Sequence, residues 1–231
     1  MSLLQHVLSG SATAFGPSGN YRSAIAKKPI EGQVKVTRTG IVGDEHGNTL
    51  RHGGAEQALH QYAFEHYAAW RAEKPEMAAL FSAPGAFGEN FSSTGMTEDN
   101  VCVGDTYRCG TVLLQVSRTR HPCWRLNIRF GDPRMAWRVQ ESGRLGWHYR
   151  VIEEGTLSAG DRLILVHRPH PGWTISRLAR ALFHAPLDYA SLEEMAQLPE
   201  LSKLSKDYAV RRLSDRKLED WTERMQTPAD A

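Results

Sequence analysis

Cysteine is scarce: the 231 residues include three, Cys102, Cys109 and Cys123. The number is odd and no pair stands in a CxxC spacing, which excludes a disulfide-stapled scaffold and a zinc knuckle. An excess of one charge is missing too. The 28 Lys and Arg against 26 Asp and Glu leave a formal net charge of +2. That balance lacks the basic surplus needed to bind a nucleic-acid polymer. No apolar run reaches the roughly 18–20 residues of a membrane helix. The N-terminal MSLLQHVLSG has no basic lead, and Gln5 and His6 interrupt its apolar run, so no signal peptide is expected. A cytoplasmic protein with reduced thiols and no membrane partner is predicted. GxxxxGK[ST], GxGxxG after a strand, HExxH and GxSxG are all absent, so ATPase, dinucleotide dehydrogenase, zinc protease and serine hydrolase readings lose support.

What is present is enough for a core: 41% of residues are hydrophobic and 9% aromatic. Short β-prone segments at 33–37, 59–63, 101–109, 112–118, 148–153 and 162–167 alternate with turns such as Gly43-Asp44, Gly104-Asp105 and Gly160-Asp161. This is the pattern of a barrel or sandwich, not of a βαβ sheet. Helices are predicted at 65–74 and 133–141, the second with Asp132 as its cap and Pro133 at its first position. Pro169-His-Pro-Gly172 then marks a boundary. Beyond it, Thr174 caps one helix, Ser191-Leu-Glu-Glu194 reads as a capping box for another, and 203–213 and 215–225 suggest one or two more. The expected organisation is a mainly β domain over 1–168 and a small helical unit over 173–231.

Chemistry concentrates in Arg118-Thr-Arg-His-Pro-Cys-Trp-Arg125, just past the alternating run 112–116. Arg118, Arg120, Arg125, Arg129, Arg134 and Arg138 surround Cys123, with Asp132 the lone acid over 118–138. Cationic neighbours favour thiolate, the form that binds metals or attacks electrophiles. His121 adds a candidate proton donor. The bland alternative is a small core cysteine beside a solvated arginine face. His52-Gly53-Gly54 offers backbone N–H groups for an anion, or an ordinary turn. Glu89-Asn90 offers a carboxylate and an amide to a heterocycle, or a loop entering a strand. Arg22-Ser23 is a further candidate phosphate contact. Core or surface roles are expected for most of the other histidines, His60, His66 and His148 included.

In order along the chain stand Ser23-Ala-Ile, Gly40-Ile-Val-Gly-Asp44, His52-Gly-Gly54 with Ala58-Leu59 and Tyr62, then Glu65-His66-Tyr67 and Trp70. Ala86-Phe-Gly-Glu-Asn90, Gly95-Met-Thr97, Val103-Gly-Asp105, Pro122-Cys123 with Leu126-Asn127, and Gly146-Trp147 follow. Each motif alone is unspecific; the joint order over nearly the whole chain is specific. It resembles the MOSC-domain family, named for the C-terminal domain of molybdenum cofactor sulfurase, in its YiiM-like branch with a C-terminal three-helix unit. The resemblance implies a MOSC-type β-barrel that binds a molybdenum–pterin cofactor, with Cys123 as the metal ligand. It points to Arg22, Ser23, His52, Gly53 and Gly54 for the phosphate, and to Arg118 and Arg120 nearer the metal. Glu89, Asn90 and Asn127 are left to hold the pterin or order the cysteine loop. Gln57 departs from the Lys or Arg of many relatives, with Arg51 as the substitute contact.

The activity implied is reduction of N-hydroxylated compounds, such as the purine hydroxylaminopurine, to the amine. Cys123 and His121 would be the catalytic residues, with Glu89 a second candidate proton donor. No flavin or iron–sulfur motif is present, so a separate flavin or iron–sulfur electron-donor protein is implied. The rival readings are a sulfur carrier with a Cys123 persulfide, or non-catalytic storage of the cofactor. The C-terminal helices would serve as a donor dock, a homodimer contact or a packing element, the last being favoured by their apolar faces.

Overall fold

The computed structural model describes residues 2–49 and 51–231. The strands are β1 (Ser2–Ser9), β2 (Thr13–Phe15), β3 (Tyr21–Ser23), β4 (Lys28–Pro29), β5 (Gln33–Thr37), β6 (Gly40–Ile41) and β7 (Leu59–Ala63). They continue with β8 (Phe91–Ser93), β9 (Thr106–Cys109), β10 (Val112–Thr119), β11 (Trp147–Glu153), β12 (Gly155–Ser158) and β13 (Arg162–His167). Seven of them close a barrel in the order β13-β9-β10-β11-β7-β8-β1, with β1 pairing back onto β13. Closure leaves no open edge along the main sheet. The β7–β8 pair is parallel. β4 extends β1 outside the ring, and β12, β5 and β6 form a separate three-stranded sheet. Of the barrel or sandwich that the turn spacing allows, the barrel implied by the family resemblance is the one present.

Alternation decides which face is core. In β11, Trp147, Tyr149 and Val151 are buried in the main core cluster, while His148 and Arg150 face the other way. β10 reads the same over Val112, Leu114 and Val116 and then becomes buried on both faces, where loops and helices cover it. The predicted strand at 101–109 is shorter than expected. Only Thr106–Cys109 is strand, and Cys102 makes an isolated bridge to Thr174.

The helices are α1 (Glu65–Glu73), α2 (Arg125–Phe130), α3 (Met135–Ser142), α4 (Ile175–Ala179), α5 (Tyr189–Ala196), α6 (Lys203–Asp215) and α7 (Thr222–Met225). Thr174 caps α4 by accepting from the Arg177 N–H, as its position predicted. Asp132 accepts from the Arg134 N–H at the start of the turn leading into α3. The capping box at Ser191 is corrected: Asp188 caps α5, and Ser191 lies inside the helix, donating to that same carboxylate. The predicted helix over 215–225 is reduced to α7, because Arg216 takes a left-handed conformation (φ 55°) and ends α6. Among the described residues no helix is long and apolar enough to cross a membrane.

One buried cluster runs from the barrel (Leu4, Leu114, Trp147, Tyr149) into the C-terminal helices (Ile175, Leu178, Leu192, Met195, Ala209). A second, largely aromatic cluster of Tyr62, Tyr67, Trp70, Phe81, Phe87 and Phe130 packs outside the barrel wall. Tyr62 and Phe87 stack with centroids 4.3 Å apart and ring planes 22° from parallel. Phe87 forms the edge of this cluster that reaches the cavity described next.

Candidate functional site

Three antiparallel or crossing segments bring a polar row together on the outer barrel face. Arg118 of β10 pairs in register with His148 of β11, and His148 with His60 of β7. Directly opposed residues share one face, so all three side chains stand on the side away from Trp147 and Tyr149. The His60 and His148 rings are 5.0 Å apart. His60 then exchanges bonds with Asn90: its N–H donates to Asn90 Oδ1 at 3.1 Å, and the Asn90 N–H donates to its carbonyl at 2.7 Å.

Above this row lies a cavity of about 650 Å³, mouth included, whose lining contains Cys123, His52, Gly53, Arg120, His60 and His148. Ser23, Lys27, His46, Gln57, Phe87 and Asn90 complete much of its wall. The loop over 42–49 reaches the wall only because Gly47 has no side chain: a Cβ there would lie 1.9 Å from the Arg22 carbonyl oxygen. Gly53, at φ +78°, needs the left-handed region, and a Cβ there would meet the His46 ring at 2.5 Å.

Cys123 sits between the end of β10 and α2, as its place in the sequence predicted. Burial would push its thiol up. Contact with His52, whose Nε2 is 3.8 Å from Sγ, the Arg120 charge and the Arg125 backbone N–H overcome that and pull it down to about 6. The other cysteines behave oppositely. Burial and the nearby Asp161 push Cys109 up to about 12, and burial and Asp105 raise Cys102.

Arg120 is 8% exposed, and its Nη1 has no hydrogen-bond partner. Burial lowers its pKa, and the neighbouring Cys123 opposes that shift. His148 Nδ1 is likewise unpartnered. Burial holds His148 well below the ordinary imidazole value, helped by His60, Arg118, Arg120 and His121, and burial pushes His60 down to about 3. Both rings are therefore neutral at physiological pH. Asp44 anchors the opposite wall. It accepts from the Gly10 N–H at 2.8 Å, from Asn90 Nδ2 at 2.8 Å, and from the buried Lys27 ammonium, with which it forms an ion pair.

Of the residues singled out from sequence, Cys123, His52, Gly53, Ser23, Asn90 and Arg120 share the cavity. Arg125 lines it too, whereas Arg22, Gly54, Glu89, Arg118, His121 and Asn127 fall outside the lining. Arg22 is exposed and donates to the Ala12 carbonyl. Gly54 (φ +84°) leads into the short 3₁₀ turn Ala55–Gln57. The Glu89 carboxylate is fully buried and consumed by Tyr67 Oη, the Gly85 N–H at 2.7 Å and the Phe87 N–H at 3.1 Å. It shapes the turn and has no free face toward a ligand. Arg118 lies behind the wall, its guanidinium pushed down to about 10 by burial. Asn127 orders the cysteine loop, donating to the Met225 carbonyl and accepting from the Ala136 N–H. His121 points away, between the rings of Phe183 and Tyr208. Gln57 lines the cavity itself, whereas Arg51 is tied to Glu223. Lys27, His46, His60 and His148 carried no individual sequence signal for this site.

Comparison with known proteins shows the family and the fold. Residues 48–164 match the MOSC domain, and residues 173–216 match the YiiM-like 3-alpha helix domain. The chain is 41% identical to the protein YiiM of Escherichia coli over 220 residues, covering 95% of this chain and 96% of that one. It is also 41% identical over 212 residues to a protein of Gibberella moniliformis named "Reductase", covering 91% of this chain. The chain spans only 37% of that fungal protein's length. The crystal structure of Escherichia coli YiiM superposes with a TM-score of 0.83, covering 98% of this chain and all of the other, at 33% identity in the superposition.

Proposed function

Because this chain belongs to the family of MOSC-domain proteins with a YiiM-like helical extension, we propose that it is a molybdenum-cofactor-dependent reductase of N-hydroxylated compounds. One observation carries the reading: a thiol drawn down to about 6 shares a cavity with a buried guanidinium whose Nη1 lacks a partner. A buried charge without a partner is costly unless a ligand completes it. A soft thiolate beside an unsatisfied cation fits a thiophilic metal carried on an anionic cofactor. Among the described residues no three His, Cys, Asp or Glu side chains converge on a metal position. Cys123 would thus be the single protein ligand, with the remaining ligands brought by the cofactor.

When bound, the cofactor supplies the two-electron chemistry that cleaves the N–O bond: R–NHOH, two electrons and two protons give R–NH₂ and water. The chain's residues bind and orient. Arg120, Ser23 and the Gly53 backbone supply positive or N–H character for the anionic groups. His52 Nε2 can hold the proton that Cys123 releases. Neutral His148, with its free Nδ1, can hydrogen-bond a polar heterocycle or an N–OH oxygen, a role that His121 cannot fill from its place behind the wall. Phe87 contributes apolar atoms to the cavity wall. The electrons would come from a separate flavin or iron–sulfur protein, and the cavity takes a free small molecule in preference to a base within a polymer.

The depressed thiol equally suits a persulfide carrier, so the test has three arms. Protein made in a host that synthesises the cofactor should carry close to one molybdenum per chain. It should reduce hydroxylaminopurine with an artificial donor. Persulfide on Cys123 by mass spectrometry, with little metal, would replace this reading with the carrier. Full metal without reductase activity would replace it with storage.

A further inference from the structure

Residues 221–231 lie beyond both matched regions, yet they bond to three segments that adjoin the cavity lining. At the cysteine wall, Arg224 brackets Cys123 from both sides. Its Nη1 donates to the Pro122 carbonyl at 2.5 Å, and its own carbonyl accepts from the Trp124 N–H at 2.8 Å. Its Nη2 donates to Gln140 Oε1 at 2.8 Å, tying the arrangement to α3. Asn127 Nδ2 adds a bond to the Met225 carbonyl at 2.9 Å. At the HGG turn, Glu223 pairs with Arg51. At the β2–β3 hairpin, the Asp230 carbonyl accepts from Ser18 Oγ at 2.7 Å, and Asp230 Oδ1 from Tyr21 Oη at 2.9 Å. Tyr21 in turn packs edge-on against Trp124, with centroids 4.9 Å apart.

The segment is anchored at its start. Trp221 packs against Phe183 and donates to Glu219, which pairs with the buried Arg212 of α6. Arg212 also donates to the Leu182 carbonyl at 3.0 Å. The C-terminal helices are thereby linked to the cysteine loop through one short stretch of chain.

We propose that Arg224 is a positioning residue of the site: by fixing the backbone immediately before and after Cys123, it sets where the thiolate sits relative to Arg120 and His52. The inference rests on the reading of Cys123 as the functional thiol. The loop over 120–124 contains no regular structure; the Gly146 carbonyl and the first turn of α2 hold its two ends, and Arg224 adds bonds on either side of Cys123. Bonds to a charged guanidinium are among the stronger ones available for that purpose.

The test compares the full-length wild type with Arg224→Ala and Arg224→Lys. Hydrogen exchange is measured on the metal-free proteins, and molybdenum per chain after expression in a cofactor-making host. Arg224→Ala keeps the main-chain bond to the Trp124 N–H but loses the guanidinium bonds to Pro122 and Gln140, and should speed exchange across residues 121–130 by roughly tenfold or more. Peptides from β10 and β11 should exchange as in the wild type. Molybdenum content should fall several-fold, and Arg224→Lys should recover most of it. Wild-type exchange at 121–130, or wild-type molybdenum in Arg224→Ala, overturns the proposal. If Arg224→Ala does not fold, Arg224→Lys decides: intermediate exchange supports the clamp, and wild-type exchange overturns it. A wild type without molybdenum defeats the cofactor reading instead, and the exchange data then decide the clamp alone.

Discussion

His52 Nε2 lies 3.8 Å from the Sγ of Cys123, across 71 positions of chain. The contact joins the HGG turn to the end of β10 and makes one cysteine unlike the other two. A thiol buried among apolar groups ionises late, as Cys109 does. At Cys123 the imidazole, the Arg120 charge and a backbone N–H reverse that outcome.

In metal-free protein, alkylation of Cys123 should follow a pH midpoint near the value of about 6 that its surroundings impose. Cys109 should resist modification in the folded state. His52→Ala should raise the Cys123 midpoint by about one unit or more, since it removes a hydrogen bond and a positive neighbour. An unmoved midpoint would refute the role given to His52. The sign for stability follows. The folded-state value lies below the ordinary 9.0, so thiolate stabilisation is complete above pH 9 and is lost as pH falls through about 6.

Cys123→Ala should abolish molybdenum binding and N-hydroxylamine reduction, while Cys102→Ala and Cys109→Ala keep both. Elemental analysis and turnover with an artificial donor check this. Full molybdenum and full rate in Cys123→Ala would remove Cys123 as the ligand.

Arg120→Met should separate stability from cofactor retention. The guanidinium is buried with Nη1 unpartnered, so its removal relieves a desolvation cost. The melting temperature of the metal-free variant should equal or exceed that of the wild type, while its molybdenum content drops several-fold. A lower melting temperature with undiminished cofactor would contradict the assignment.

Asp44→Ala should destabilise by about 3–5 kcal/mol, because it strands the Lys27 ammonium in the interior. It also removes acceptors from Gly10 and Asn90. Urea denaturation measures the loss, and a change below about 1 kcal/mol would show that water reaches Lys27 freely.

The parts of the site legible in the sequence were those set by local pattern. The alternation over 112–116 located β10, and the arginine run after it marked Cys123. Thr174 announced its helix because a cap acts over three residues. What stayed hidden depends on contacts between distant segments. His60 and His148 gain meaning only when β7 and β11 pair, and Lys27 only when Asp44 folds over it. Proximity in sequence misled at His121: two residues from Cys123, it turns into the Phe183–Tyr208 pocket of the helical region. Glu89 misled for another reason, since two N–H groups of its own turn and the Tyr67 hydroxyl of α1 consume the carboxylate. Asp188 took the capping role from Ser191 because it stands one turn earlier with the longer reach.

The cluster that runs unbroken from Leu114 and Trp147 to Leu178, Leu192 and Met195 sets how the molecule comes apart. Apolar contacts shared by two regions make their unfolding cooperative. Barrel and helices should melt in a single transition, detected alike by far-ultraviolet dichroism and tryptophan fluorescence. A fragment ending before Trp173 would bare the apolar ground on which Ile175 and Leu178 rest, and should aggregate sooner than function.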